Sequence, residues 1–271
     1  MVTSKSPAAP VGVFDSGIGG LTVAHEVIKQ LPHESVLYFS DTARVPYGPK
    51  SPDTVRRYSR EIAAFLQGEG VKSIVIACNT ATAHALDVLR GELDMPVIGV
   101  VEPGARAAVS ATRRGHIGVI GTVGTIKSGA YERAIRALHA DVRVTARACP
   151  LFVPLVEEGW TDHAATRLIA EEYLAPLVEE DIDTLVLGCT HYPLLKPLLA
   201  SVLGSDVRLI DSAEETAAET ARTLAAAHLT APENADPRYR FVASDGPLQF
   251  LQLGQRFLGD TMEGVEIRTL G

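Results

Sequence analysis

Residues 74–80 read Ile-Val-Ile-Ala-Cys-Asn-Thr, and residues 185–191 read Leu-Val-Leu-Gly-Cys-Thr-His. Each segment is an apolar run followed by a cysteine and two polar residues, and the two align without a gap 111 positions apart. An uninterrupted apolar run of this length is typical of a strand buried on both faces of a parallel sheet. The repeat therefore predicts two related halves, each with a buried strand that ends at a cysteine.

A second pair of segments repeats in the same order. Residues 12–16 (Gly-Val-Phe-Asp-Ser) resemble residues 118–122 (Gly-Val-Ile-Gly-Thr), 106 positions further along the chain. Either match alone is common among apolar strands, but two matches in the same order at similar spacing indicate a duplication. We therefore predict an α/β fold of two similar parallel-sheet α/β domains related by pseudo-two-fold symmetry, with the active site in the cleft between them.

Apolar runs alternate with amphipathic segments along the rest of the chain, as in βαβ units. The predicted strands are residues 11–14, 36–39, 73–77, 97–101, 117–120, 184–188 and 207–210, with a final edge strand at 240–243. The predicted helices include residues 23–31, 54–67, 130–138, 164–179 and 213–228. We expect the chain to cross between domains at Gly104 and to return near residues 211–214. The predicted first domain is residues 1–104 plus 213–271, and the predicted second domain is residues 105–212.

The composition narrows the class of protein. The chain has 271 residues, of which 46% are hydrophobic and 21% charged, which is typical of a globular protein. With 25 basic and 33 acidic residues its net charge is −8, which does not favour nucleic-acid binding. No apolar run approaches the length of a membrane span. Because residues 1–10 lack a signal-peptide pattern and the chain has only three cysteines, we predict a cytoplasmic protein.

Ligands of open parallel sheets bind outside the carboxyl ends of the strands. Two cysteines, Cys78 and Cys189, occupy that position in the two halves. Each is predicted to open a helix, whose N-terminus lowers the pKa of a thiol and favours the thiolate. If the two domains face one another, the thiols lie on opposite sides of a substrate, so that one removes a proton and the other returns one. Such an arrangement inverts a carbon stereocentre.

The cysteines also allow other interpretations. A single cysteine after an apolar strand is more often a small core residue, and this is our interpretation of Cys149, which has no counterpart in the other half. Cys78 and Cys189 could form a disulfide, although a reducing compartment disfavours it. Together with His191 they could bind zinc, but their spacing matches no usual zinc motif, so no metal is predicted.

The glycine-rich segment 17–20 suggests a dinucleotide-binding alternative. It follows a predicted strand, and Asp41 lies 24 residues after Gly17, near the position of the acid that binds a ribose. The full Gly-x-Gly-x-x-Gly pattern is absent, which disfavours a nicotinamide oxidoreductase. A two-domain binding protein that closes on an acidic ligand without chemistry is a further alternative, which the paired cysteines disfavour.

Five segments, in this order along the chain, resemble the glutamate racemases, the cofactor-independent branch of the aspartate/glutamate racemase superfamily. They are residues 14–20 (Phe-Asp-Ser-Gly-Ile-Gly-Gly), 46–48 (Pro-Tyr-Gly), 77–81 (Ala-Cys-Asn-Thr-Ala), 154–157 (Pro-Leu-Val-Glu) and 188–193 (Gly-Cys-Thr-His-Tyr-Pro). The resemblance implies interconversion of L- and D-glutamate without a cofactor, supply of D-glutamate for peptidoglycan, and a homodimer. Aspartate and hydantoin racemases are the nearest alternatives.

The resemblance also implies roles for particular residues. Cys78 would act on D-glutamate and Cys189 on L-glutamate, each as a base or an acid. Asp15 would lie beside Cys78 and assist its proton transfer. His191 would lie beside Cys189, with Glu157 nearby. The positions that match the family's substrate-binding residues are Asp15, Ser16, Tyr47, Gly48, Asn79, Thr80, Thr122, Thr125, Thr190 and His191.

Removal of the α-proton of glutamate leaves a carbanion beside a negative carboxylate, which is costly without an electron sink such as pyridoxal phosphate. Lys72, Lys127 and Lys196 lie outside the matched segments, so none is predicted to form a Schiff base. We expect the backbone N–H groups at the helix starts after Asp15 and the two cysteines to stabilise the substrate's charge in a dry cleft.

Overall fold

The computed structural model of the chain describes residues 6–258 and 261–270, apart from the side chains of residues 249, 256 and 257. The strands are β1 Val11–Asp15, β2 Val36–Ser40, β3 Ser73–Ile76, β4 Val97–Gly99, β5 His116–Gly121, β6 Arg143–Ala148, β7 Thr184–Gly188, β8 Arg208–Asp211, β9 Tyr239–Ala243 and β10 Glu266–Ile267. The helices are α1 Leu21–Gln30, α2 Pro52–Gly68, α3 Asn79–Glu92, α4 Val101–Ala111, α5 Val123–Ser128, α6 Ala130–Leu138, α7 Phe152–Glu157, α8 Ala164–Glu179, α9 Lys196–Leu203, α10 Ser212–Ala226 and α11 Pro247–Leu258.

The strands form two parallel sheets with the same internal order. The first sheet runs β10-β9-β2-β1-β3-β4, and the second runs β6-β5-β7-β8. In both, the first strand of the repeat lies at the centre, between the second and third strands, and the fourth follows outside the third. The predicted class, two parallel-sheet α/β domains, is confirmed. β3 and β7, which precede the two cysteines, occupy equivalent places.

Helices cover both faces of each sheet, which explains why the strands are uninterrupted apolar runs. In the first sheet, Val13 and Val75 pack toward α1 and α10. Phe14 and Ile76, on the same strands, pack on the opposite face toward α2 and α3. The second sheet is covered by α4 and α6 on one face and by α8 and α9 on the other. Because helices cover the faces of the sheets, a ligand can bind only at the ends of the strands, where the loops lie.

Three details of the strand prediction are wrong. Residues 240–243 belong to β9, which is not an edge strand because it lies between β2 and the two-residue strand β10. The strand β6 has no predicted counterpart: its side chains are only partly buried at the edge of the second sheet, so it lacks an apolar run. The predicted strand 97–101 is also shorter in the structure, since α4 begins at Val101.

Two helices connect the sheets. Helix α4 packs into the core of the second sheet through Val101, Ala105 and Ala108, and Gly104 lies within this helix rather than between elements. Helix α10 returns the chain and packs against α1 and α4. The predicted domain boundaries themselves stay a prediction, and residues 1–5, 259–260 and 271 of the predicted first domain lie outside the described residues.

Among the residues that the structure describes, no helix has both the length and the apolar character required to cross a membrane.

Candidate active site

Loops from both sheets enclose one small cavity of about 40 Å³. A volume of this size holds about three water molecules. Its walls are the segments that directly follow β1, β3, β5 and β7, together with the loop after β2 and part of α7. Cys78 and Cys189 both line it, one from each sheet. The two thiols therefore face the same space, as the repeat predicts.

Cys78 lies at the start of α3, where its side chain caps the helix. The Sγ atom accepts a hydrogen bond from the backbone N–H of Ala81 at 3.4 Å and donates one to Oγ of Ser16 at 3.5 Å. Burial, and next the nearby charge of Asp15, raise the pKa of Cys78 to about 12. The predicted lowering of this pKa by the helix N-terminus is wrong, because burial and Asp15 outweigh the hydrogen bonds with Ser16 and with the N–H of Ala81.

Asp15 ends β1 and is fully buried behind the glycine-rich loop. Its Oδ2 accepts hydrogen bonds from the backbone N–H groups of Gly17 (3.1 Å) and Gly20 (3.0 Å). Burial nevertheless raises the pKa of Asp15, although His191 and the loop N–H groups act in the opposite direction. The expectation that these N–H groups bind a substrate anion is wrong for Gly17 and Gly20, since they bind the protein's own carboxylate.

Cys189 follows β7 but does not open an α-helix. A short 3₁₀ helix at Tyr192–Leu195 comes first, and α9 begins only at Lys196. This part of the prediction is wrong. A histidine stands beside the sulfur instead: Nδ1 of His191 lies 3.9 Å from Sγ of Cys189.

His191 links Cys189 to a carboxylate on α7. Its Nε2 lies 3.0 Å from Oε1 of Glu157, whose side chain is partly exposed. Burial alone lowers the pKa of His191, but the hydrogen bonds to Cys189 and Glu157 outweigh burial and raise it to about 10. These two hydrogen bonds therefore favour the protonated imidazole, which places positive charge next to Cys189.

The glycine-rich loop of the first domain packs directly on the cysteine loop of the second. A Cβ atom on Gly19 would lie 2.4 Å from Oγ1 of Thr190 and 2.5 Å from Nδ1 of His191. Oγ1 of Thr22 also donates to the carbonyl of Thr190 at 3.5 Å. Only glycine fits at position 19 while the two domains are this close.

Three threonine hydroxyls form a second contact between the domains. Oγ1 of Thr80 lies 2.8 Å from Oγ1 of Thr122 and 3.2 Å from Oγ1 of Thr125. The N–H of Gly124 donates to the carbonyl of Gly48 at 2.9 Å on the same side. Thr80, Thr122 and Gly48 line the cavity, whereas Thr125 lies behind them.

Tyr47 lines the cavity, but its hydroxyl points elsewhere. It donates to the buried carboxylate of Asp41, which also accepts hydrogen bonds from Arg44 (2.8 Å) and from the hydroxyl of Ser244 (3.1 Å). Burial raises the pKa of Tyr47, with Asp41 as the next cause. Because Asp41 is occupied by these three groups and lies outside the cavity wall, it is not positioned to bind a ribose.

Residues 21–220 match the Asp/Glu/hydantoin racemase family. The chain belongs to this family. It is 54% identical to the glutamate racemase of Geobacter metallireducens over 96% of both chains. Among solved structures, the glutamate racemase isoform RacE1 from Bacillus anthracis superposes with a TM-score of 0.92 at 44% identity over 97% of each chain. The glutamate racemase from Francisella tularensis, solved in complex with D-glutamate, has a TM-score of 0.91 at 38% identity, covering 97% of this chain and 98% of that one.

The cavity of this racemase brings together most residues that the sequence predicts for the site. Asp15 and Thr125 lie behind its wall, and the predicted residues that line it are Ser16, Tyr47, Gly48, Cys78, Asn79, Thr80, Thr122, Glu157, Cys189, Thr190 and His191. The sequence prediction missed four other wall residues, Gly17, Val45, Pro46 and Val153. Gly17 and Pro46 lie in segments that resemble the glutamate racemases. The two valines have apolar side chains, and nothing in the sequence marks them as site residues.

The structure also describes the surroundings of the cysteines that bear on the other interpretations. All three cysteines are free thiols. Cys149 is buried in the core of the second sheet, as predicted. Over residues 6–258 and 261–270 no group of three His, Cys, Asp or Glu side chains is arranged to hold a metal ion.

A larger apolar cavity of about 360 Å³ adjoins the cysteine cavity. The two share Val45, Pro46, Gly48, Thr122, Val153 and Glu157 as walls. Proline and valine side chains therefore surround the approach to the thiols, which keeps the dielectric constant low around any charge that forms there.

Proposed function

We propose that this racemase interconverts L- and D-glutamate by removing the α-proton on one face of the carbon and returning a proton on the other. The observation that carries the proposal is that Cys78 and Cys189, from equivalent positions in two sheets, line one cavity. The identity of 54% with a glutamate racemase over 96% of both chains supports glutamate as the substrate.

The two thiols have neighbours suited to complementary roles. Cys78 stays protonated until a base removes its proton. The buried carboxylate of Asp15 is close enough to affect its pKa and is the base that we propose, with its own pKa raised by burial. Cys189 faces His191, whose positive charge attracts negative charge on the sulfur and whose proton is held by Glu157. In the proposed mechanism, Cys78 acts on D-glutamate and Cys189 on L-glutamate.

Polar groups around the thiols would hold the substrate by its carboxylates and amino group. The side-chain amide of Asn79 and the hydroxyls of Ser16, Thr80, Thr122 and Thr190 line the cavity. Fixed dipoles in a dry cavity stabilise the developing carbanion more than water does, because they need no reorganisation when the charge forms. The cavity leaves little room beside the thiols, so we expect its walls to separate to admit the substrate and then to close around it.

The structure favours this chemistry over a Schiff base on lysine. Lys72 is buried far from the cavity wall in an ion pair with Glu34, and Lys196 is bonded to Asp211 at 2.8 Å. None of the three lysines considered above lines the cavity. The reaction therefore depends on the thiols and on the dipoles around them.

The proposal extends to the cellular role. D-glutamate produced by this reaction would supply peptidoglycan synthesis, and the proposed setting is the cytoplasm. We also propose that the active assembly is a homodimer, for which sedimentation at several protein concentrations is the direct test.

The decisive experiment follows optical activity and isotope exchange together. Purified protein is incubated with D-glutamate in deuterated water without any added cofactor, and circular dichroism records the loss of optical activity. We expect L-glutamate to form with deuterium at the α-carbon, since a thiol in exchange with solvent returns the proton. Retention of the original hydrogen in the product would contradict the two-thiol mechanism. Faster turnover of L-aspartate than of glutamate would contradict the substrate assignment.

A further inference from the structure

A buried tyrosine of the second domain contacts the loop that carries the first cysteine. Tyr131, on α6, is 3% exposed, and its hydroxyl donates to Oδ1 of Asn79 at 2.7 Å. Asn79 directly follows Cys78 in the chain. Burial raises the pKa of Tyr131 above its ordinary value, so the hydroxyl keeps its proton and remains a donor.

The ring of the same tyrosine packs against the end of β7, directly before the second cysteine. A Cβ atom on Gly188 would lie 3.0 Å from Cε2 of Tyr131, and Gly188 directly precedes Cys189. On the other side, a Cβ atom on Gly104 would lie 3.3 Å from the Tyr131 hydroxyl. Two glycines therefore make room for the ring. Tyr131 touches the chain next to both thiols without lining the cavity itself.

The bond to Tyr131 also decides which end of the Asn79 amide is available to a ligand. With Oδ1 held by the phenol, the donor end Nδ2 is the free one. Nδ2 is buried and has no hydrogen-bond partner among the described residues, and Asn79 lines the cavity. A buried donor without a partner is costly, and a carboxylate oxygen in the cavity would satisfy it.

We propose that Tyr131 is a positioning residue, which fixes the Asn79 amide with its N–H groups toward the substrate and sets the spacing between the two cysteine loops. The inference rests on the proposed function, because it needs a substrate carboxylate in the cavity. The residue acts through Asn79 by its hydroxyl and on the Cys189 loop by its ring. No segment recognised in the sequence contains it.

The hydroxyl contribution is tested by a double-mutant cycle with Tyr131→Phe, Asn79→Ala and the double variant. Tyr131→Phe keeps the ring against Gly188 and removes the hydroxyl that donates to Asn79. We expect kcat/KM for glutamate to fall by about 10- to 100-fold, because a misplaced binding group costs this much. The fall must be the same in both directions, since the two enantiomers have equal free energies. In the Asn79→Ala background, Tyr131→Phe should change kcat/KM less than twofold.

A matched control removes a tyrosine hydroxyl from the far end of the first sheet. Tyr239 pairs in register with Val36, the first residue of β2, so it lies at the edge opposite the cavity. Tyr239→Phe should leave kcat/KM within twofold of the wild type. Thermal melts of all variants check that each one is folded.

The outcomes separate this inference from the proposed function. If the wild type does not racemise glutamate, the proposed function fails, and this inference fails with it. If the wild type is active but Tyr131→Phe is within twofold of it, or if the two substitutions are additive, only the role of Tyr131 is overturned. Should turnover by Asn79→Ala be too slow to measure, the same cycle is run on the Kd of D-glutamate by calorimetry, with the same expected loss of the Tyr131→Phe effect.

Discussion

The two cysteine loops occupy the same place in two sheets of the same strand order, yet their surroundings are opposite in charge. Cys78 caps an α-helix, and a buried carboxylate, Asp15, lies near it. Cys189 precedes a 3₁₀ turn, and a protonated imidazole, His191, lies beside it. The duplicated fold thus gives the thiols equivalent positions, whereas the side chains around them place a carboxylate near one thiol and an imidazole near the other.

This difference suits a reaction that needs one acid and one base at a time. At neutral pH the thiol of Cys78 carries its proton, since its pKa is raised to about 12. On the other side, His191 keeps a positive charge next to Cys189. A racemase with two identical thiol environments would have to create this asymmetry in every cycle. Here the side chains beside the two thiols already differ before the substrate arrives.

The largest expected effect comes from removing either thiol. Cys78→Ser and Cys189→Ser should each reduce kcat for racemisation by about 10²–10⁴-fold, because a serine hydroxyl cannot replace a thiol in proton transfer. The comparison is sharpened by isotope exchange in deuterated water, followed by NMR. Cys189→Ser should retain slow exchange at the α-carbon of D-glutamate only, and Cys78→Ser of L-glutamate only.

Cys149→Ala is the matched control, since it removes a buried thiol that lies in the core of the second sheet. It should lower the melting temperature while kcat stays close to that of the wild type. If either active-site serine variant racemises at the wild-type rate, that thiol is not part of the mechanism. If both variants exchange the same enantiomer, the assignment of the two faces is wrong.

The sequence predicts features that depend on local apolar patterns, but not those that depend on contacts formed by the fold. The positions of Cys78 and Cys189 are predictable, because each follows an apolar strand and the two segments repeat. Strand β6 is not, since a partly exposed edge strand has no continuous apolar run. The pKa of Cys78 is not predictable from the sequence either. It depends on burial and on Asp15, which is distant in sequence and comes close only in the folded protein.

The same limit applies to residues that act through others. Tyr131 lies 52 residues from Asn79 in the sequence and belongs to an ordinary amphipathic helix. Its role becomes visible only in the folded protein, where its hydroxyl donates a hydrogen bond to the amide of Asn79. In the glycine-rich loop the sequence suggests a site that the structure does not provide. The pattern predicts an anion site, but the N–H groups of Gly17 and Gly20 already donate to the carboxylate of Asp15.

A smaller effect is expected when the charge beside Cys78 is removed. Asp15→Asn keeps the shape of the side chain and an oxygen for the N–H groups of Gly17 and Gly20, but it removes the negative charge. The pKa of Cys78 should then fall by about one unit or more, since a like charge nearby disfavours the thiolate. The measurement is the pH dependence of alkylation of Cys78 in a Cys189→Ser background, read by mass spectrometry of the Cys78 peptide.

Asp87→Asn is the control for this shift. It removes one negative charge from the exposed face of α3, the helix that Cys78 caps, without altering the cavity. Its alkylation profile should match that of the Cys189→Ser parent. An Asp15→Asn profile that also matches the parent would mean that burial alone raises the pKa of Cys78. The proposed effect of the Asp15 charge on Cys78 would then be wrong.

The smallest expected effect concerns His191, the residue beside Cys189, and it appears in the free energy of unfolding rather than in turnover. Because the pKa of His191 rises from its ordinary value of 6.5 to about 10 on folding, the native protein holds a proton between these values that the unfolded chain has lost. The contribution to stability is complete below pH 6.5 and disappears as the pH rises toward 10, at up to about 1.4 kcal/mol per pH unit. Urea unfolding between pH 7 and 8.5 should therefore show a steeper loss of stability for the wild type than for His191→Gln, which cannot titrate. Parallel profiles would show that folding takes up no net proton through His191 and its partners, and the contrast in charge between the two cysteine loops would then be unsupported.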